Sequence, residues 1–243
     1  MTPQPNDPTQ VGSEPPRDEG DGLRLSRPEI QALGTKAARG AGFEWGQSEE
    51  AGWAAGWLAR AGLPGAAILL DVLQAGPIAP PVPMPGHWGG EGAQCPLYVG
   101  LALQDFARLP EGPGRAGVVV DSVTFPVFVI PFVARIATIL GRPVELWCGR
   151  ARVLLHDDRV MPALDDLASV QVLGQATVRV TVPDPMQAAA PFSPAAMDNT
   201  GAGFEGVISL DTWQELDLLA MRTTVASSDA SRVRAGAQES DND

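Results

Sequence analysis

Histidine, cysteine and lysine are scarce in this 243-residue chain, and it has no apolar run long enough to cross a bilayer. The two histidines, His87 and His156, and the two cysteines, Cys95 and Cys148, do not fall at the spacing of a zinc site. Two cysteines so far apart make no disulfide framework, and they suit a reducing cytoplasm. Lys36 is the sole lysine, with no Gly-Lys-Ser or Gly-Lys-Thr around it, which excludes a Walker loop. The longest apolar candidate, residues 122–134, lies between Asp121 and Arg135 and contains Pro126 and Pro131, so it reads as a buried core segment. Residues 1–22 are rich in Pro, Asp and Glu and lack the apolar stretch of a signal peptide; they are expected to be a disordered extension. The net charge of −12 argues against nucleic acid and against an anionic membrane surface as partners.

What is present is organised around residues 25–65. Ser26-Arg27-Pro28-Glu29 is a capping box with Pro in the first turn. Ile30, Leu33, Ala37 and Ala41 then recur at spacings of three and four, which predicts a helix that Gly40 and Gly42 stop. A second helix is expected from Ser48, with Glu49 and Glu50 at the favourable end of its dipole and Trp53 and Trp57 on one face. Gly52, Ala55, Gly56 and Ala59 form a smooth strip that another backbone can approach, and Gly62 and Pro64 end the helix. Arg39, Trp45 and Glu49 converge at the turn between the two helices. They are a candidate site for a polar or anionic ligand, and the same charges serve equally as helix-end electrostatics.

The segment KAARGAGFEWGQSEEAG, residues 36–52, resembles the opening motif of a bacterial family described only as domain of unknown function 3726. The resemblance runs through Cys95-Pro96 to the closing SRVRAGAQESDND. The tail departs from the family pattern in being poorer in Gly and in having Thr224 where the family has an aromatic residue. The resemblance implies a soluble, single-unit architecture and brings no activity with it.

Further along, a third helix is expected at residues 65–74, followed by a Pro- and Gly-rich loop at 76–92. Cys95-Pro96 opens an apolar helix with Pro in its first position. A strand at 118–120, a helix over 125–140 broken or begun around Pro131, and strands at 144–148 and 152–155 about Gly149 follow. A second hairpin is read at 170–173 and 176–182, and a capping box at Asp211-Thr212-Trp213-Gln214 starts a last helix. Helices first and hairpins later, without βαβ alternation, predict an α+β fold: an N-terminal helical hairpin and further helices packed with antiparallel hairpins. One domain over 23–226 and a polar tail over 227–243 complete the expected organisation.

Gly201-Ala202-Gly203-Phe204-Glu205-Gly206 matches a dinucleotide fingerprint in letters, but it neither follows a strand nor opens a helix. His156-Asp157-Asp158 reads as a solvated hairpin end, and neither a metal nor a cofactor is expected. The sharpest catalytic candidate is Cys95. At a helix N-cap its thiolate would be favoured, with His87 on the preceding loop as general base. Arg232, Asp241, Asn242 and Asp243 are candidates for docking a partner chain. Three functions stay open: a small-molecule enzyme using Cys95 and His87, an accessory subunit or homo-oligomer meeting another chain through its helix pair and tail, and a non-catalytic ligand-binding protein using Arg39, Trp45 and Glu49. A cytoplasmic protein handling a small molecule is preferred.

Overall fold

The computed structural model describes residues 22–78, 80–114, 116–157, 159–161, 164–184 and 205–223. Of the expected disordered extension at 1–22, residues 1–21 lie outside them, as do the docking residues Arg232, Asp241, Asn242 and Asp243, while Gly22 begins a strand.

A strand, β1 (Gly22–Ser26), leads into α1 (Arg27–Gly40), and the capping box forms at their junction. The Glu29 carboxylate accepts from the Ser26 N–H at 2.7 Å and from its hydroxyl at 2.6 Å. These bonds, the hydroxyl first, hold the Glu29 carboxyl below its ordinary value. The next helix, α2 (Trp45–Arg60), starts three residues before the expected Ser48. Glu44 takes the N-cap and its N–H donates to Gln47 Oε1 at 3.0 Å, so a Glu–Gln box does what Ser48 was expected to do. The Ser48 hydroxyl turns back onto the Phe43 and Glu44 carbonyls, inside the first turn.

The smooth strip of α2 is closed by α1 within the same chain. A Cβ added at Gly34 would stand 3.1 Å from the Gly52 Cα, and one added at Gly52 would overlap Thr35 and the Gln31 carbonyl. After Leu63 and Pro64 the chain folds back as α3 (Gly65–Ala75), burying Ile68, Leu69, Val72 and Leu73.

The Pro- and Gly-rich segment that follows is not wholly loop. It contributes a two-residue strand, β2 (His87–Trp88), before α4 (Pro96–Asp105) begins after its N-cap Cys95. Next come β3 (Val118–Thr124), a 3-10 turn at Pro126–Val129 and α5 (Ile130–Leu140). The hairpin β4 (Val144–Cys148) and β5 (Ala151–His156) forms about Gly149, then β6 (Arg159–Met161). Residues 170–173, expected as a strand, instead end a helix, α6 (Leu164–Gln171), and its turn. Leu167 and Val170 are buried and three apart, which is helical spacing, while Val172 is 81% exposed and has no sheet face to cover. The described chain closes with β7 (Gln175–Thr181), β8 (Glu205–Ser209) and α7 (Leu210–Met221). α7 begins ahead of the expected Asp211, because the Ser209 hydroxyl accepts from Thr212 N–H at 3.2 Å.

The fold is α+β. β1 and β8 pair antiparallel as a ribbon beside α1 and α7. The second sheet runs in the order β2-β3-β7-β4-β5-β6, antiparallel except where β2 joins β3 in parallel. Val118, Val120, Leu146, Val153, Leu155, Val178 and Val180 point from it into the core beneath α4 and α5. The alternate positions, among them Asp121, Thr177, Arg179 and Arg152, face solvent, as the two-residue period requires. Arg135 of α5 ties three helices together. It donates to Glu50 of α2 at 2.8 Å and to Gln104 of α4 at 3.1 Å, with its guanidinium 3.5 Å from the centre of the Trp53 ring.

The α1–α2 contact predicts opposite effects at two glycines of one helix. Gly52→Ala should lower the urea midpoint, with a loss of about 1–3 kcal/mol from forced separation of the helices. Gly46→Ala, where an added Cβ meets nothing within 4 Å, should raise stability by about 0.5–1 kcal/mol through helix propensity.

Candidate functional site

Two helices end side by side, and a cleft opens where they do. α4 stops at Asp105 and the chain turns through Ala107, Arg108 and Leu109. α5 stops at Leu140, where Gly141 at φ 61° takes the left-handed C-cap and Arg142 N–H bonds back to Ala137 at 3.2 Å. The loop at Pro113 and Gly114 and the exit from β7 at Val182 and Asp184 complete the walls, joined by Val182 N–H to the Gly114 carbonyl at 3.3 Å. Trp88, buried at the sheet edge, donates its indole N–H to the Glu111 carbonyl at 2.9 Å and so anchors this turn to β2. The cleft encloses about 600 Å³, within the range of small-molecule sites.

Two arginines line it. Arg108 Nη2 donates to the Ile139 carbonyl at 2.7 Å, and Arg142 Nη2 donates to the Pro183 carbonyl at 3.4 Å. Among the described residues neither has a carboxylate partner, although Asp184 lines the same cleft. Each fork therefore keeps donors that carbonyls do not occupy, the arrangement that suits a carboxylate or other oxyanion. Nothing in the local sequence marks these arginines. Each looks like a surface residue after a helix, and only the juxtaposition of the two helix ends brings them together.

The residues expected to act as a cysteine site are placed otherwise. Cys95 is the N-cap of α4, as read, but its thiol is buried among apolar side chains. That burial pushes the thiol above its ordinary value, against the opposing pull of the Tyr98, Leu97 and Ile78 N–H groups. The expected lowering at the helix N-terminus is thus outweighed by desolvation. His87 faces solvent and bonds through Nε2 to Asp121 Oδ2 at 2.8 Å, while the Thr177 hydroxyl donates to Asp121 Oδ1 at 2.9 Å. Those two bonds hold the Asp121 carboxyl below its ordinary value. The His87 partner is therefore Asp121 on the open sheet face. Ser122, next in the chain, sits in a β-bulge at φ 56°, which turns the strand between the two faces.

Arg39 and Trp45 do meet. The guanidinium lies 5.8 Å from the ring centre, and Arg39 Nη1 donates to the Phe43 carbonyl at 2.9 Å, closing the α1–α2 turn. Trp45 is 64% exposed and Glu49 is exposed on the next turn. A second cleft, of about 460 Å³, lies between the β8 end of the ribbon and the α2–α3 turn and is lined by Leu63, Ala66 and Val207. Neither cleft is lined by Arg39, Trp45 or Glu49. His156 Nδ1 lies 3.2 Å from Asp157 Oδ2, and no group of three metal-binding side chains occurs among the described residues. Residues 201–204 of the glycine-rich word lie outside the described chain, and the remaining Glu205 and Gly206 belong to β8.

Residues 25–115 match a family described as Protein of unknown function (DUF3726). The match contains the motif at 36–52 and Cys95-Pro96, and it ends in the loop that lines the first cleft; the closing segment lies beyond it. Neither the curated proteins nor the solved structures provide a match. No helix among the described residues is long and apolar enough to cross a membrane.

Burial of the two cysteines predicts an alkaline weakening of the fold. Burial pushes the Cys148 thiol from 9.0 up to about 12, and Cys95 shifts in the same direction. Above the unfolded value the unfolded chain gives up a proton that the folded chain keeps, so stability falls as pH rises through this window, by about 1.4 kcal/mol per unit for Cys148. Urea unfolding between neutral and strongly alkaline pH should show a shallower decline in Cys148→Ala than in the parent. Alkylation of both thiols in the native protein should be far slower than after denaturation.

Proposed function

We propose that the protein binds a small anionic molecule, without cysteine chemistry, in the cleft between the ends of α4 and α5. The reading rests on Arg108 and Arg142, which line one concave site and have no carboxylate partner among the described residues. A buried thiol and a histidine bonded elsewhere weigh against nucleophilic catalysis at Cys95. Closure of the Gly52 strip by α1 weighs against docking through that face of the helix pair. The anion is held by the forks of the two arginines, which are exposed, so the contact is open to screening by salt.

Thermal unfolding at constant ionic strength with phosphate, sulfate, acetate, hexanoate and citrate tests this. A ligand at about a hundred times its Kd contributes roughly 2.7 kcal/mol, which for a chain of this size raises Tm by about 5 °C or more. The rise should vanish in the folded Arg108→Gln/Arg142→Gln variant, which retains any general salt effect. An equal response in both proteins would overturn the reading.

A further inference from the structure

We propose that the occupant of this cleft is an amphipathic monoanion, a free carboxylate attached to a ring or short acyl body, and not a phosphate or a polyanion. The inference rests on the anion-binding reading and adds the ligand class.

Two features of the walls point to it. The cleft sits at the C-terminal ends of α4 and α5, where the helix dipoles present negative partial charge. Proteins hold phosphates at helix N-termini, where N–H groups and the dipole cooperate; here the backbone opposes accumulated negative charge and only the guanidiniums attract it. Lastly, Leu109, Pro113, Leu140 and Val182 give the same space an apolar wall, with Leu109 left 50% exposed. A carboxylate matches the planar guanidinium fork, and its hydrocarbon covers that wall.

Isothermal titration of the full chain with acetate, butanoate, hexanoate, octanoate, inorganic phosphate and 1-hexanol, at one ionic strength, tests the class. Affinity should climb about three- to fourfold per methylene along the carboxylates until the wall is covered, with phosphate and hexanol at least tenfold weaker than hexanoate. Leu109→Ser, at an exposed position, should flatten the climb and leave acetate unchanged. Arg142→Gln, which keeps the Arg108 link between the two helices, should weaken every carboxylate about tenfold or more. Circular dichroism and the urea midpoint establish that each variant is folded. Phosphate binding with no dependence on carboxylate length would overturn the amphipathic class and leave the anion site standing. A climb with length that Arg142→Gln does not alter would place the binding elsewhere and overturn the inference. No binding of any anion would overturn both readings.

Discussion

The structure depends on a contact between two backbones. α1 and α2 cross where Gly34 and Gly52 leave no side chain, so the helices stand closer than any Cβ would allow. Glycine inside a helix costs about 0.5–1 kcal/mol relative to alanine, and close packing offsets that cost. With the pair drawn together, Ala37, Ala38, Ala51, Ala54 and Ala55 become wholly buried although they are small, and Trp57 and Leu58 fill the space beside them. The turn between the helices then has one conformation, which Arg39 fixes by donating to the Phe43 carbonyl.

Attachment of α2 to the helices over the sheet is more polar. Arg135 is half-buried between Glu50, Gln104 and the face of Trp53, so a single side chain orients α2, α4 and α5. Orientation matters for the cleft, because both arginines there leave the chain just past helix ends. The open sheet face follows a different logic, with exposed pairs such as His87–Asp121 and Arg152–Glu145 running across strands. Exposed pairs of this kind add little stability; they keep the surface wet and set which side chains stand together.

Local signals were legible wherever one residue decides a local event. Ser26 and Glu29 mark the start of α1, Pro96 the start of α4, and Gly141 the end of α5. Alternation at 144–148 and 152–155 was equally plain, because only one face is buried. Pairing between distant segments was not legible. β2 has two residues inside a Pro- and Gly-rich stretch, and β1 and β8 find each other across most of the chain. Cys95 teaches a related lesson: its N-cap position could be read locally, but the burial that governs its thiol depends on everything packed around it. Arg108 and Arg142 were invisible for the same reason, since a shared cleft is a property of tertiary contact and neither residue carries a motif.

The ribbon of β1 and β8 bears on how the protein is made. Gly22 pairs with Ser209, and the Gly40 end of α1 lies directly under the Leu219 carbonyl of α7. Among the described elements, the first helix therefore has a partner in the last. Until α7 emerges, the face of α1 that it covers has no native cover, and the largest loop closure in the described chain is also the final one. The α1–α7 contact therefore closes across most of the described chain, whereas the β4–β5 hairpin joins partners adjacent in sequence.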